Sequence, residues 1–156
     1  MASLYAQNMA GQVAAPPIRP SDAGYGSRTF RFRSVLNLAA IATGTYGSTQ
    51  AGVATTDSVL LAILPAGYVF DYGMITSSVS LSTAVVAVGT NATHASNGQY
   101  RAAATFTAVD TPTLFGLASA QAGAALSSDT RVYLTTATGA VPSSGTLVVD
   151  LYCNKA

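Results

Sequence analysis

The chain has 156 residues, of which 49% are hydrophobic and only 8% are charged. It contains 29 Ala, 19 Thr and 16 Ser, but a single Cys, no Trp and no Glu. This composition excludes a disordered chain, which needs many charges, and a disulfide scaffold, which needs many cysteines. It also excludes a coiled coil, because Glu is missing. The length fits one domain.

The N-terminal segment, residues 1–27, differs in composition from the rest of the chain. It holds three of the six prolines, at positions 16, 17 and 20, and shows no periodic apolar pattern. Because proline fixes φ and restricts the residue before it, these prolines exclude a helix. We therefore predict an extended N-terminal arm over residues 1–27 and a single β-sandwich domain over residues 28–156. No basic segment leads into an apolar run, so we expect synthesis in a cytoplasm without secretion.

The first predicted strand begins at Thr29, where apolar and polar residues start to alternate. Successive side chains of a strand point to opposite sides of the sheet. One predicted face carries Phe30, Phe32, Leu36 and Leu38. The opposite predicted face carries Thr29, Arg31, Arg33 and Asn37. This pattern is typical of a half-buried strand.

Further strands are predicted from β-branched and aromatic enrichment between turn residues. They cover Ser58–Leu64, Tyr68–Ser77, Ser82–Gly89, Tyr100–Val109, Thr130–Thr136 and Thr146–Asn154. Four side chains of the Tyr68–Ser77 strand are expected to share a face: Tyr68, Phe70, Tyr72 and Met74. Residues 117–126 are Ala-rich but bracketed by glycines, which indicates a loop or a single helical turn. Short strands at this spacing predict an all-β fold, an antiparallel β-sandwich that is jelly-roll-like.

The residues that could carry enzymatic chemistry are few. His94 is the only imidazole, and no Gly-x-Ser-x-Gly element accompanies it, so we interpret it as a surface-loop histidine. One His and one Cys cannot supply a zinc site, and Cys153 is interpreted as a small apolar strand residue. We therefore expect no catalytic residues, no bound metal and no cofactor, and a protein that is not an enzyme.

The distribution of charge is more informative than its total. Residues 1–33 contain four Arg against one Asp, a net charge of +3, whereas residues 34–156 carry two Arg and one Lys against five Asp, a net charge of −2. Two interpretations of Arg31 and Arg33 stay open: a solvated strand face, or a docking surface, where arginine is favoured.

Four segments of the sequence carry a resemblance to a known family. They are the arm followed by Arg28–Ala39, the corner Ala62–Val69 with Gly73–Leu81, the segment Tyr100–Phe106, and the C-terminal Val141–Leu151. In this arrangement the chain resembles the decoration, or cement, proteins that stabilise the heads of tailed bacteriophages.

The resemblance implies a structural protein of the virion. It would decorate the exterior of the capsid as a homo-oligomer, a trimer in preference to a dimer, and bridge neighbouring major capsid subunits. Its partners would be the major capsid protein and itself, with no direct contact to nucleic acid or membrane. The candidate capsid or subunit interface is Tyr5, Arg19, Tyr25, Arg28, Arg31 and Arg33. The alternative function is a carbohydrate- or receptor-binding module of a phage tail or fibre.

Overall fold

Two β-sheets hold almost all of the regular secondary structure of the described residues. A computed structural model describes residues 3–5, 29–39 and 58–155. Within these residues the strands are β1 (Ser3–Tyr5), β2 (Thr29–Asn37), β3 (Ser58–Leu64), β4 (Tyr68–Ser77), β5 (Val85–Gly89), β6 (Arg101–Thr105), β7 (Thr113–Phe115), β8 (Thr130–Ala137) and β9 (Thr146–Lys155). A 3₁₀ turn covers His94–Ser96 and a one-turn helix, α1, covers Ala118–Gln121.

The order of the strands is that of a jelly roll. One sheet has the order β2-β9-β4-β7, and the other has the order β1-β3-β8-β5-β6. Every pair formed among β2 to β9 is antiparallel. Along the chain, the strands pass back and forth between the two sheets. This connectivity corresponds to two Greek keys and is the jelly-roll topology. The predicted all-β sandwich is confirmed.

The core lies between the two sheets and is formed by side chains of both sheets. The largest fully buried side chains are Leu36, Leu38, Leu60, Leu61, Leu64, Ile75, Leu81, Leu147 and Leu151. Burial of one such side chain contributes about 1.5–3 kcal/mol to folding. The alternation predicted for Thr29–Leu38 is confirmed, because Phe32, Leu36 and Leu38 are buried while Arg31 and Arg33 are exposed.

The predicted face of β4 is wrong, and a β-bulge is the reason. The register of β4 against β9 shifts between Phe70 and Tyr72. Phe70 lies in the core with 3% of its surface exposed, whereas Tyr72 and Met74 point to the outside of the sandwich. A bulge inserts one extra residue and therefore exchanges the faces of all residues beyond it.

Other strand boundaries differ from the prediction where the backbone turns. The strand predicted from Ser82 begins at Val85, because Ser82 has a φ of +55° within a turn. The strand predicted to reach Val109 ends at Thr105. Strand β7, only three residues long, was not predicted, because three residues are too few to show a period. The single-turn interpretation of residues 117–126 is confirmed by α1.

Strand β1 lies within the predicted arm. Its residues Ser3, Leu4 and Tyr5 pair in parallel with Ser58, Val59 and Leu60 of β3. The first strand of the chain thus extends the five-stranded sheet at its β3 edge. The remaining residues of the predicted arm lie outside the described residues, so its extent stays a prediction.

We expect the substitution Thr136→Val to stabilise the protein. Thr136 is 1% exposed, and its Oγ1 has no hydrogen-bond partner. It lines a cavity of about 10 Å³ whose other walls are the apolar side chains of Leu38, Val59, Leu81, Val86, Leu134, Val141 and Leu147. A buried hydroxyl without a partner is unfavourable, so a methyl group in its place should add about 1 kcal/mol to the free energy of unfolding.

The neighbouring residue Thr135 is the matched control for this experiment. Thr135 is also fully buried, but its Oγ1 is hydrogen-bonded to Asn97 Nδ2 at 3.0 Å and to His94 Nδ1 at 3.1 Å. Thr135→Val should therefore lower the free energy of unfolding in urea titrations, opposite in sign to Thr136→Val. A loss of stability in both variants would contradict the prediction.

Candidate docking surface

Part of the outer face of the five-stranded sheet, over β5 and β8, is covered by the chain itself. Residues 90–99, which lead from β5 towards β6, fold back over β5 and β8. The side-chain amide of Asn97 donates to the carbonyl of Tyr133 at 3.2 Å, to the carbonyl of Ala87 at 3.4 Å and to Thr135 Oγ1. As a result Ala87 and Thr135 are fully buried although they lie on the outer side of the sheet.

His94 is part of this covering loop. Its Nδ1 lies 3.1 Å from Thr135 Oγ1, and the residue is half-buried. The loop also packs closely on Gly89, where a Cβ atom would overlap the side chain of Gln99. His94 therefore helps to hold the loop on the sheet, which fits its interpretation as a loop histidine.

By contrast, the outer face of the four-stranded sheet carries exposed side chains. Residues directly across an antiparallel ladder share a face, and the register places three central rows of side chains on the outer side of this sheet. The rows are Arg31–Tyr152–Tyr72, Arg33–Asp150–Met74–Leu114 and Val35–Val148–Thr76. We call these ten side chains the open sheet face. All of them except Asp150 are at least partly exposed, which makes this surface the candidate docking surface.

Arg33 and Asp150 form an ion pair in the middle row. Arg33 Nε donates to Asp150 Oδ1 at 2.8 Å, and Nη2 donates to Oδ2 at 2.7 Å. The Asp150 side chain is 0% exposed, whereas that of Arg33 is 45% exposed. The hydrogen bonds and the charge of Asp150 raise the pKa of Arg33 above its ordinary value. Arg33 is therefore committed to neutralising a buried carboxylate and holds β2 to β9.

Arg31 lies one row away and differs from Arg33. It is exposed, and within the described residues it has no hydrogen-bond or ion-pair partner. The residues across from it are aromatic: Tyr72 and Tyr152 are stacked with ring centroids 4.5 Å apart and an interplanar angle of 16°. The row thus contains an arginine without a polar partner among the described residues and two stacked phenol rings. Such groups are enriched at protein interfaces.

Apolar side chains flank these polar rows. Val35 is 37% exposed and Leu114 is 68% exposed. Leu114 is held in place because its neighbour Phe115 points into the sandwich and lies 6.4 Å from Phe70, centroid to centroid. The Phe115 ring lies over Gly73, where a Cβ atom would overlap it, so only glycine lets β7 pair here.

The structure places two of the six predicted interface residues on the open sheet face. They are Arg31 and Arg33. Of Tyr5 the structure describes only the backbone, in β1, and Arg19, Tyr25 and Arg28 lie outside the described residues. The sequence prediction did not include the contributions of β4, β7 and β9, which are Tyr72, Met74, Thr76, Leu114, Val148, Asp150 and Tyr152. The alternation of β9 was a signal for Asp150 and Tyr152, but nothing local paired them with β2.

Two titratable groups lie behind the open sheet face, in the core. Burial, with a smaller contribution from Asp71, raises the pKa of the Cys153 thiol from 9.0 to about 12. Burial, with a smaller contribution from Cys153, raises the pKa of Tyr100 to about 12. The thiol is therefore protonated at neutral pH and unsuited to act as a nucleophile. The interpretation of Cys153 as an apolar strand residue fits its full burial.

Arg101 occupies the bulge between β5 and β6. Its guanidinium donates to the carbonyls of Val86, Ala104 (3.2 Å) and Thr105 (3.3 Å). Burial lowers the pKa of Arg101 below its ordinary value. Because its donors are directed at these backbone carbonyls, Arg101 supports the edge of the five-stranded sheet.

The described residues contain neither a candidate metal site nor a candidate membrane-spanning helix. In this part of the chain, no group of three or more His, Cys, Asp or Glu residues lies close enough together to hold a metal ion. None of its helices has the length and apolar character needed to cross a membrane.

The fold is similar to chains in two solved phage structures. One is the Cyanophage Pam1 capsid asymmetric unit, where a chain matches with a TM-score of 0.61 and 15% identity over 92% of this chain and 96% of that chain. The other is the capsid of Ralstonia phage GP4, where a chain matches with a TM-score of 0.65 and 15% identity over 99% of both chains. No protein-family model and no curated protein sequence matches the chain. At this identity the likeness establishes the shared fold.

Proposed function

We propose that this chain is a structural protein of a bacteriophage virion that decorates the exterior of the capsid and bridges neighbouring major capsid subunits. The observation that carries the proposal is the similarity in fold, over nearly the whole length of both chains, to chains of two phage capsids. The open sheet face supports it, because it offers one docking surface on an otherwise small and sparsely charged body.

Bridging would stabilise the capsid by mass action. A protein that binds only the assembled shell stabilises it by about 2.7 kcal/mol per site when its free concentration is a hundredfold above the dissociation constant. A homotrimer would engage several capsid subunits at once, and the high effective concentration would strengthen docking without new contacts. Such a role needs a rigid body with an exposed face and no catalytic group.

We expect the full-length chain to bind to phage heads that were purified without it and to raise the temperature at which they release their genome. Co-sedimentation with the heads measures binding, and a DNA-binding dye added during heating measures release. An electron-microscopic reconstruction of the loaded heads should show added density on the outer shell. Density at the tail only, or an unchanged release temperature despite binding, would contradict the proposal.

A further inference from the structure

The open sheet face carries a free cation but no free anion. Its charged residues are Arg31, Arg33 and Asp150, which leave a net charge of +1. Both carboxylate oxygens of Asp150 accept hydrogen bonds from Arg33, and the side chain is fully buried. Arg31 is exposed and, among the described residues, has no polar partner. The charge that this face offers to a partner is therefore the single guanidinium of Arg31.

This asymmetry argues against a second copy docked through the same face. An interface with twofold symmetry places the same patch on both sides, so each charge needs its opposite within that patch. Here two open sheet faces would bring together two unpaired Arg31 side chains and no available carboxylate. Like charges at an interface oppose association. The partner must supply the carboxylate.

The residues around Arg31 indicate which chemical groups the partner should present. Arg31 lies across the ladder from Tyr152, in the row that holds the stacked rings of Tyr72 and Tyr152. Val35 and Leu114 leave apolar surface at the two edges of the sheet. Arginine forms bidentate hydrogen bonds with carboxylates, and such bonds are strongest where apolar neighbours exclude water.

We propose that the open sheet face is the capsid-docking surface and that it binds an acidic segment of the major capsid protein, with a carboxylate on Arg31 and apolar side chains against Val35 and Leu114. This inference rests on the proposed function. It assigns different tasks to the two predicted arginines: Arg31 binds the partner, and Arg33 holds the surface together.

The test compares two charge reversals in the full-length protein, both of exposed arginines. Arg31→Glu alters the open sheet face, and Arg131→Glu makes the same change in β8 of the other sheet. Binding to phage heads purified without the chain should weaken at least about tenfold for Arg31→Glu, as expected for an arginine that makes a charged contact in an interface. Arg131→Glu should bind like the wild type.

A second variant tests the apolar part of the surface. Leu114→Ser should also weaken binding, and because Leu114 is 68% exposed the change should leave thermal unfolding unaltered. Sedimentation velocity on the free proteins should show the same oligomeric state for the wild type and for all three variants.

Several results would overturn the inference. If the wild type binds and both charge reversals weaken binding equally, the effect is general electrostatics, and this surface is not the docking site. If the wild type binds and Arg31→Glu binds equally well, the surface is likewise excluded. Dissociation of the oligomer by Arg31→Glu or Leu114→Ser would assign the face to contacts between copies. Failure of the wild type to bind would overturn the proposed function and this inference with it.

Discussion

Replacing Arg33 by Met lowers the free energy of unfolding by about 2 kcal/mol, a value between those of exposed and buried ion pairs. The reason is the difference in exposure between the partners. Asp150 is fully buried, so loss of Arg33 leaves a desolvated carboxylate without its two hydrogen bonds. Urea titration followed by far-UV circular dichroism measures the effect.

Removal of the other partner should cost less. In Asp150→Leu the Arg33 side chain, 45% exposed, regains contact with water, and the leucine lies in a row with Met74 and Leu114. The double variant Arg33→Met, Asp150→Leu should then be more stable than Arg33→Met alone, because apolar replacements of a buried pair are often neutral. Equal stability of Arg33→Met and the wild type would show that water reaches Asp150 and would contradict the prediction.

The ion pair between Arg33 and Asp150 also affects the docking surface. Because β2 is the edge strand of the four-stranded sheet, its position depends on contacts with β9. Loss of the ion pair would loosen the strand that carries Arg31. We therefore interpret reduced capsid binding by Arg33→Met as a consequence of lost stability, and reduced binding by Arg31→Glu, with unchanged stability, as loss of a direct contact.

Alkaline pH should destabilise the protein through Cys153 and Tyr100. Both pKa values are raised in the folded state, that of Cys153 from 9.0 to about 12 and that of Tyr100 from 10.0 to about 12. The unfolded chain loses these protons first as the pH rises. The stabilising contribution is therefore complete below about pH 9 and is lost between pH 9 and pH 12. For the thiol it amounts to about 4 kcal/mol at most.

Single variants separate the two groups. Cys153→Ala should abolish the loss of stability that begins near pH 9, and Tyr100→Phe should reduce the loss that begins near pH 10. The free energy of unfolding, measured in urea at intervals from pH 7 to pH 11, gives the slopes, which can be compared even if a variant is less stable throughout. A wild-type stability that stays constant up to pH 11 would contradict the prediction, as would rapid alkylation of Cys153 in the native protein at pH 9.

The sequence predicted which segments are strands, and which of their side chains point to the core, wherever apolar and polar residues alternate without interruption. In β2 and β9 the buried residues Phe32, Leu36, Leu147 and Leu151 follow the period of two read from the sequence. Such periodicity is a local property, because neighbouring side chains of one strand point to opposite faces whatever the strand pairs with. The turn at Pro65–Gly67 was also predictable from its own residues, because Gly67 has a φ of +84°, which glycine adopts freely.

The prediction failed where a feature depends on a partner strand. The bulge after Phe70, which moves Tyr72 to the outer face, arises from the pairing of β4 with β9. Strand β7 exists because Thr113–Phe115 finds β4 as its neighbour, with Gly73 leaving room for Phe115. Neither the bulge nor β7 has a periodic pattern in the sequence from which it could be predicted.

By itself the sequence determined that the chain is an all-β sandwich with two exposed arginines on its first long strand, because local alternation and turn chemistry suffice for that. Only the tertiary structure decided what the arginines do. Arg33 meets Asp150, 117 positions away in the chain, and becomes part of the framework. Arg31 lies in a row with Tyr152 and Tyr72 and has no polar partner among the described residues. The physical reason is that strand register, which places one side chain opposite another, is set by long-range packing and is not encoded in the neighbours of either residue.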